Sequence, residues 1–333
     1  MPLTRRAFTA LGLALAAAPA KAQQLDKVAF GTNWVAEAEH GGFYQAIADG
    51  TYRKYGLDVT IVPGGPQVNN RMLLLAGKID FFMSANCLQG FDAVAQNIPT
   101  LAVAASFQKD PQVLLAHPGA AEKFEDLKKL TLLVSSEGMQ TYFKWMQAEF
   151  GFSAERVKPY TFNPQPFLVD KNSAMQGYVT SEPFAVEKAG VKPKIFLLAD
   201  QGFNTYSTLI EARRETVEKR PDMVQRFVDA SAIGWYNYLY GDNKPANEMI
   251  RKHNPEMTDE LLAYSIAKMK EYGIVDSGDT FKDGIGAMND ARMASFFDKM
   301  VKAGVVKPSV DFRRSYTLQF VNQGIGLELR PKN

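Results

Sequence analysis

The stretch from residue 31 to residue 65 constrains the fold of this chain more than any other. Its sequence has the pattern of a strand end, a loop, a helix, a turn and a second strand: GTNWVAEAEHGGFYQAIADGTYRKYGLDVTIVPGG. This order is typical of an open α/β sheet, in which ligands bind at the carboxyl ends of the strands. The loop at that position carries an aromatic ring, carboxylates, an amide and an imidazole: Asn33, Trp34, Glu37, Glu39 and His40. We therefore expect a binding site at this edge of the sheet.

The rest of the chain continues the alternation of strands and helices. Apolar, β-rich runs predict strands near residues 27–32, 57–62, 79–83, 100–106, 112–116, 130–135 and 194–198. Helical patterns lie near residues 41–50, 67–77, 139–150 and 183–189. After Glu211 the pattern is mostly helical, with late strands predicted at 312–321 and 324–330. The alternation predicts an α/β protein with mostly parallel sheets, and 333 residues are enough for two lobes.

The N-terminal segment, residues 1–22, is predicted to be an export signal. Arg5 and Arg6 precede a short apolar run, and the small residues that end at Ala22 are typical of a cleavage site. The apolar run is shorter than the roughly 20 residues of a membrane span. Because the arginine pair resembles a twin-arginine signal, we expect export to the periplasm, with the Tat and Sec routes both open.

Composition and motifs exclude several classes of protein. The whole chain has a formal net charge of +2, and residues 1–22 contain three basic residues and no acid, so the mature chain falls to −1. Nucleic acid is therefore not an expected partner. Cys87 is the only cysteine, which excludes an intrachain disulfide and a cysteine-rich metal site. Phosphate-loop, serine-elbow and zinc-helix motifs do not occur, so no enzyme activity, cofactor or metal is predicted.

Several spaced motifs are shared with a known family. They are Trp34, His40, Gly42 and Tyr44, then Gly56-Leu57-Asp58-Val59, Pro63-Gly64-Gly65, Leu75-Ala76-Gly77-Lys78-Ile79-Asp80-Phe81, Gly177-Tyr178 and Ser181-Glu182-Pro183. In this combination the chain resembles the periplasmic substrate-binding proteins of ABC importers, in the branch related to thiamine-pyrimidine-precursor and riboflavin binders.

The resemblance implies a two-lobed periplasmic binding protein fold of type II, in which two α/β lobes enclose a central ligand cleft. Lobe 1 would be discontinuous and comprise residues 23–106 and 214–333, and lobe 2 would comprise residues 107–213. The two crossing strands would lie near Ser106–Gln108 and Leu209–Arg213. The resemblance also implies a soluble monomer whose partners are a small-molecule ligand, an ABC permease and its ATPase.

The loop after the first strand supplies the first candidate ligand-binding residues. Trp34 either stacks on a heteroaromatic ring or packs in the core, and its polar loop favours the ligand. The resemblance places His40 at the cleft, where it either bonds the ligand or interacts with the helix start. Gly41 and Gly42 are expected to let the backbone approach the ligand, with the following helix pointing its N–H groups into the cleft. Asn33 and Glu37 complete this group.

Other candidates follow later strands. Ser84 and Asn86 come after the strand at 79–83, where Asn86 is either a ligand contact or a turn residue. Ser136 belongs to the loop Ser135–Gly138, which either holds a polar ligand edge or caps a helix. Three further residues complete the prediction. The resemblance favours Tyr178 and Glu182 as ligand contacts, with a capping role open for Glu182, and Tyr206 lies near the return crossing. Helical patterns around the other tryptophans indicate core positions for Trp145 and Trp235.

These expectations together predict a solute-binding protein that captures a small heteroaromatic compound similar to the thiamine pyrimidine precursor. One alternative within binding is a sulfonate, nitrate or another small anion, but Glu37, Glu39 and Glu182 would repel an anion if they face the ligand. An alternative of another class is an enzyme similar to pyrimidine-precursor synthases. The predicted export and the single cysteine oppose that reading.

Overall fold

Two sheets organise the fold. The computed structural model describes residues 25–65, 68–161 and 163–332, and the predicted export signal lies outside these ranges. Within them, ten strands form two five-stranded sheets. Both sheets are mixed and are accompanied by helices, so the predicted α/β class is confirmed. The expectation of mostly parallel sheets was wrong, because four of the eight strand pairings among these residues are antiparallel.

Sheet 1 combines the first four strands of the chain with one strand that returns much later. Its strands are β1 (Asp26–Gly31), β2 (Leu57–Val62), β3 (Phe81–Asn86), β4 (Thr100–Phe107) and β10 (Ser207–Arg213). They lie in the order β2-β1-β3-β10-β4. The β1, β2 and β3 strands are parallel, whereas β10 runs antiparallel to β3 and β4. The carboxyl ends of β1 and β3 therefore lie at the same edge.

Sheet 2 repeats this plan with the middle of the chain. Its strands are β5 (Gln112–Ala116), β6 (Thr131–Val134), β7 (Val157–Pro159), β8 (Ser173–Tyr178) and β9 (Lys194–Leu197). They lie in the order β7-β6-β8-β5-β9, with β5 antiparallel to both neighbours. Since β6 and β8 are parallel, the loops after them meet at one edge, as in sheet 1.

Fourteen α-helices occur in the described part of the chain. They are α1 (Gly41–Ala48), α2 (Thr51–Lys54), α3 (Asn70–Leu75), α4 (Cys87–Ala95), α5 (Ser136–Gln140), α6 (Tyr142–Phe150), α7 (Gln165–Val169), α8 (Glu182–Lys188), α9 (Arg214–Lys219), α10 (Pro221–Tyr240), α11 (Lys244–His253), α12 (Asp259–Glu271), α13 (Thr280–Asp283) and α14 (Asp290–Lys302). None of these helices combines the length and the apolar character needed to cross a membrane.

The chain passes between the sheets twice. It leaves sheet 1 after β4 and enters sheet 2 at β5, close to the predicted first crossing. It returns between β9 and β10, through a short 3₁₀ turn at Leu198–Gln201. The segment expected to make this return, Leu209–Arg213, lies inside β10 and pairs with β3 and β4. That prediction was wrong because an apolar strand pattern does not reveal which sheet the strand joins.

The late strands predicted at 312–321 and 324–330 are also absent from the described residues. Phe312–Ser315 and Leu327–Leu329 are 3₁₀ turns, and only an isolated bridge joins Tyr316 to Ala102. The alternation has another cause, since the Phe312 ring stacks on Phe297 at 4.7 Å between ring centroids. The apolar residues pack against helices without forming a ladder.

Packing between α1 and α10 explains the paired glycines. A Cβ on Gly41 would lie 2.0 Å from the Tyr238 ring, and one on Gly42 would lie 2.3 Å from the Trp235 ring. The two glycines thus allow close helix packing, and the expectation that they let the backbone approach a ligand was wrong. Trp235 is 0% exposed and Trp145 1% exposed, which confirms their predicted core positions.

Candidate ligand-binding cavity

A cavity lies between the strand ends of the two sheets. Its volume is ≈ 290 Å³. One wall comes from the loop after β1 and the end of β3, the other from the loops after β6 and β8, and Asp110 of the first crossing lies between them. Aromatic rings and carboxylates line much of this surface. The arrangement matches the expected site at the strand ends.

The wall of sheet 1 is built on the loop that carries Trp34. The carbonyl of Trp34 accepts hydrogen bonds from Thr32 Oγ1 at 2.8 Å and from the Gly64 amide at 3.0 Å. A Cβ on Gly64 would lie 2.5 Å from the Thr32 carbonyl oxygen, so glycine is needed for this close approach. The indole itself lies at the cavity wall and is only partly buried. Trp34 therefore lines the cavity, as the sequence predicted for a residue of this loop.

The wall of sheet 2 is built around Glu182 at the start of α8. Its Oε2 accepts hydrogen bonds from the Tyr178 amide at 2.7 Å and from Ser181 Oγ at 3.1 Å. A Cβ on Gly177 would lie 2.6 Å from Cβ and 3.0 Å from Oε2 of Glu182. Glycine at 177 therefore makes the space in which the carboxylate sits, which gives a physical reason for the Gly177-Tyr178 motif.

A nearly buried amide completes this wall. Gln176 is 7% exposed, and its Oε1 accepts from the Ser135 amide at 2.5 Å and from the Tyr142 hydroxyl at 2.9 Å. These bonds fix the orientation of the amide, so its Nε2 is the donor left for the cavity. No described residue accepts a hydrogen bond from this nitrogen. The wall therefore offers the N–H donors of this amide to a bound molecule.

Burial sets the protonation of the carboxyls. Burial first, and then the neighbouring Glu39 and Glu182, raise the pKa of Glu37 well above its usual range. Burial likewise raises the pKa values of Glu39 and Glu182. Asp110 accepts from the Gln112 amide at 3.0 Å and from Asn86 Nδ2 at 3.2 Å, yet burial raises its pKa to about 6. Burial in this cavity thus disfavours negative charge on these carboxyls.

Contacts opposite the two crossings hold the cavity shut. Thr180, in the turn after β8, donates its hydroxyl to Glu39 of the other wall. Ser265 of α12 donates to the Thr180 carbonyl at 2.7 Å. The Phe184 ring of α8 lies 5.3 Å from the Tyr264 ring of α12. This is a closed arrangement, in which both walls can contact one ligand.

The crossings themselves are held by one arginine. Arg292, near the start of α14, donates to the Gln108 carbonyl of the first crossing and to the Thr205 carbonyl of the second, the latter at 3.1 Å. Its guanidinium also lies over the Tyr206 ring at 4.0 Å. A single side chain thus connects both segments about which the lobes of such a fold would turn.

Six of the ten predicted site residues line this cavity: Asn33, Trp34, Glu37, Asn86, Tyr178 and Glu182. Two residues for which the sequence left a ligand-binding or a local structural role open both line the cavity and cap a helix. Asn86 lines the cavity and also caps α4, accepting from the Leu88 amide at 3.1 Å. Ser135 lines it and also caps α5, accepting from the Gly138 amide at 3.1 Å.

The other four predicted residues lie elsewhere. His40 is 0% exposed behind the loop, and burial lowers its pKa to about 3. Ser84 is buried within sheet 1 beside β10. Ser136 is exposed on α5. Tyr206 donates to Asp279 at 2.8 Å in the packing around the second crossing. We leave these four out of the proposed site because their side chains do not line the cavity.

Sequence reasoning missed several lining residues. Gln176 is a long polar residue within the largely buried strand β8, a signal that could have been used. Asp110 lies two residues after the first predicted crossing, so its position at the cleft could also have been predicted. Tyr142 gave no such signal, because helix α6 contains several aromatic residues, and Tyr142 and Trp145 both lie in the core cluster.

The fold and the cavity define a class of protein, the two-lobed α/β proteins with the periplasmic binding protein fold. A solved structure of this fold, the periplasmic aliphatic sulphonate binding protein SsuA from Escherichia coli, is similar with a TM-score of 0.64 and 13% identity, over 87% of this chain and 91% of that chain. The desulfurization enzyme DszB is similar with a TM-score of 0.59 and 12% identity, over 89% and 97% of the two chains. At such identities the likeness establishes the fold alone.

Sequence comparison gives the family. The profile of the family described as NMT1/THI5 like matches residues 37–244, and the chain belongs to this family. A curated relative, the riboflavin-binding protein RibY of Chloroflexus aurantiacus, is 21% identical over 320 residues, which is 92% of this chain and 90% of the relative. The resemblance inferred from the spaced motifs is thereby confirmed.

Proposed function

We propose that this protein is the solute-binding component of an ABC importer, and that it captures a small heteroaromatic compound with N–H donors. The cavity between the two sheets carries this proposal, since it joins the indole of Trp34 on one wall to the carboxylate of Glu182 on the other. An aromatic ring between them would stack on Trp34 and donate to Glu182. We further propose a monomer in the periplasm that delivers its ligand to a membrane permease with its own ATPase.

The cavity favours some ligands of this fold over others. The RibY relative is named for riboflavin and the SsuA structure for aliphatic sulphonate. A volume of ≈ 290 Å³ lies at the lower end of the range of small-molecule sites, which favours one or two rings over a whole flavin. No basic side chain occurs among the described lining residues, which argues against a sulfonate or nitrate ligand.

The enzyme alternative has less support. The DszB structure shares the fold, so the fold by itself is compatible with catalysis. The single thiol of this chain, Cys87, is buried within the packing of α4 and donates to the Tyr206 carbonyl, away from the cavity lining. Burial raises the pKa of this thiol, which makes it a poor nucleophile.

Native mass spectrometry of the protein purified from its own cells tests the proposal. A retained ligand gives a mass difference, and we expect the mass of a compound with one or two nitrogen-containing rings. Calorimetric titration of that compound then compares wild type with Glu182→Gln and with the matched control Glu155→Gln, an exposed carboxylate outside the cavity.

Loss of a hydrogen bond to a charged group costs roughly 1.5–3 kcal/mol, so Glu182→Gln should weaken binding by about ten- to hundredfold. The control should bind as wild type does. Wild-type affinity in Glu182→Gln would remove Glu182 from the site. Turnover of the recovered compound by the purified protein would favour the enzyme alternative instead.

A further inference from the structure

The charges that line the cavity all have one sign. Five carboxyl side chains line it, and lysine, arginine and histidine are missing from its described lining: the five are Glu37, Glu39, Asp110, Glu137 and Glu182. Glu137 is exposed at the cavity mouth, whereas Glu39 is 4% exposed. The mature chain has a predicted net charge near zero. The excess of acidic residues in this cavity is therefore a local feature and does not reflect the composition of the whole chain.

These carboxyls lack basic partners in the protein. None of the ion pairs among the described residues joins one of the five to a lysine or arginine. The imidazole of His40 lies 3.6 Å from Glu37, but burial lowers its pKa to about 3, so it is neutral at physiological pH. An ionised carboxylate in a dry site is costly unless it is paired. Without such a partner the carboxyls are driven towards the neutral form, and a cationic ligand would supply the missing positive charge.

A second, independent observation points to the ligand. The amide of Gln176 is more than nine-tenths buried, and its Oε1 is held by two hydrogen bonds within the protein. Its Nε2 is left for the cavity and is without an acceptor among the described residues. A ligand acceptor would satisfy this donor. The site thus requires a molecule with several donors and at least one acceptor.

The aromatic lining favours an organic ligand over a metal ion. Trp34, Tyr142, Tyr178 and Phe203 line the same cavity, and ring faces attract ammonium and amidinium groups as well as other rings. In the described part of the chain, no group of three or more histidine, cysteine or acidic residues is arranged to hold a metal ion. The aromatic lining therefore favours an organic group as the partner of the lining carboxyls.

We propose that the ligand is an organic cation, and that carboxylates from both walls keep the empty lobes apart until this charge enters. The inference rests on the proposed function, because it concerns the ligand of the same cavity. Glu37 and Glu39 follow β1, whereas Glu182 starts α8 on the other wall. Closure without a ligand brings these like charges together in a site that excludes water, which opposes the closed form. A bound cation removes that penalty, so closure follows capture.

The ligand side of the proposal is tested with three matched probes. They are an aminomethyl-substituted aminopyrimidine, which is protonated at neutral pH, its neutral hydroxymethyl counterpart, and benzenesulfonate. Calorimetry should give a dissociation constant at least about tenfold lower for the cation than for its neutral counterpart. Equal or tighter binding of the neutral pyrimidine would overturn the cation inference and leave the proposed binder intact. Binding of benzenesulfonate alone would overturn both.

The closure side is tested without any ligand. Small-angle scattering compares the ligand-free wild type with the double variant Glu37→Gln/Glu182→Gln and with the control Glu125→Gln/Glu155→Gln, whose carboxylates are exposed and lie outside the cavity. Removing the cavity charges should lower the radius of gyration, whereas the control should match wild type.

An unchanged radius of gyration in the cavity variant would overturn the proposed role of the carboxylates. If neither pyrimidine binds, the proposed heteroaromatic ligand class is wrong. The scattering of the ligand-free proteins then decides by itself whether the cavity carboxylates oppose closure. The two proposals can therefore fail separately.

Discussion

Substitution of Gly177 by alanine should weaken ligand binding without unfolding the protein. The added Cβ would lie 2.6 Å from Cβ, 2.9 Å from Cγ and 3.0 Å from Oε2 of Glu182. To restore ordinary contact the Glu182 side chain must move by about 1 Å, which is enough to lengthen a good hydrogen bond beyond useful range. Loss of one hydrogen bond to a charged group costs roughly 1.5–3 kcal/mol. The dissociation constant should therefore rise by about ten- to hundredfold.

The fold should survive this change. Gly177 lies in strand β8 and is not among the glycines with positive φ. Alanine can therefore adopt the same backbone conformation. Overpacking costs about 1–3 kcal/mol, which lowers the melting temperature without preventing folding. The matched control is Gly65→Ala, whose Cβ would make ordinary contacts of 3.6 Å with Val35 and 3.7 Å with Val68.

Calorimetric titration and thermal melting of both variants provide the measurement. The reasoning requires weak binding in Gly177→Ala and normal binding in Gly65→Ala, with both proteins folded. A folded Gly177→Ala protein that binds as tightly as wild type would refute the argument, because Glu182 would then not need its present position.

Four further outcomes are expected. Trp34→Ala should stay folded, and calorimetry should show that its affinity for the ligand falls by at least about tenfold, because stacking and buried area are lost. Loss of folding would instead indicate that this tryptophan is a core residue. Arg292→Leu should lower the free energy of unfolding by about 2–4 kcal/mol in urea titration, because it leaves carbonyls of both crossings unpaired. The control Arg313→Leu changes an exposed side chain and should leave the free energy of unfolding unchanged. Equal effects of the two substitutions would contradict the bridging role of Arg292. The His40 ring should remain neutral in NMR titration from neutral pH down to about pH 4, because burial lowers its pKa to about 3. A titration midpoint near pH 6.5, the ordinary value for histidine, would contradict this prediction. Intact mass of periplasmic material should give an N-terminus at Gln23, and recovery of only the full-length chain would contradict the predicted export.

The sequence by itself determined the elements and the general location of the cavity. Strands and helices depend on local periodicity, and the alternation of both was visible from residue 27 to residue 198. The loop after β1 and the start of α8 were found for the same reason, since strand ends, caps and turns are local features. Trp34 follows directly from this logic, whereas the resemblance to the family placed Glu182 at the cleft.

The tertiary structure alone decided which of these side chains meet. His40 and Tyr206 have the same chemistry as ligand-binding residues, but long-range packing buries one behind its loop and ties the other to Asp279. Gln176 reaches the cavity because Ser135 and Tyr142, distant in the sequence, hold its amide. Such contacts join residues far apart along the chain, and local periodicity carries no information about them. The partnering of β10 with sheet 1 was hidden for the same physical reason.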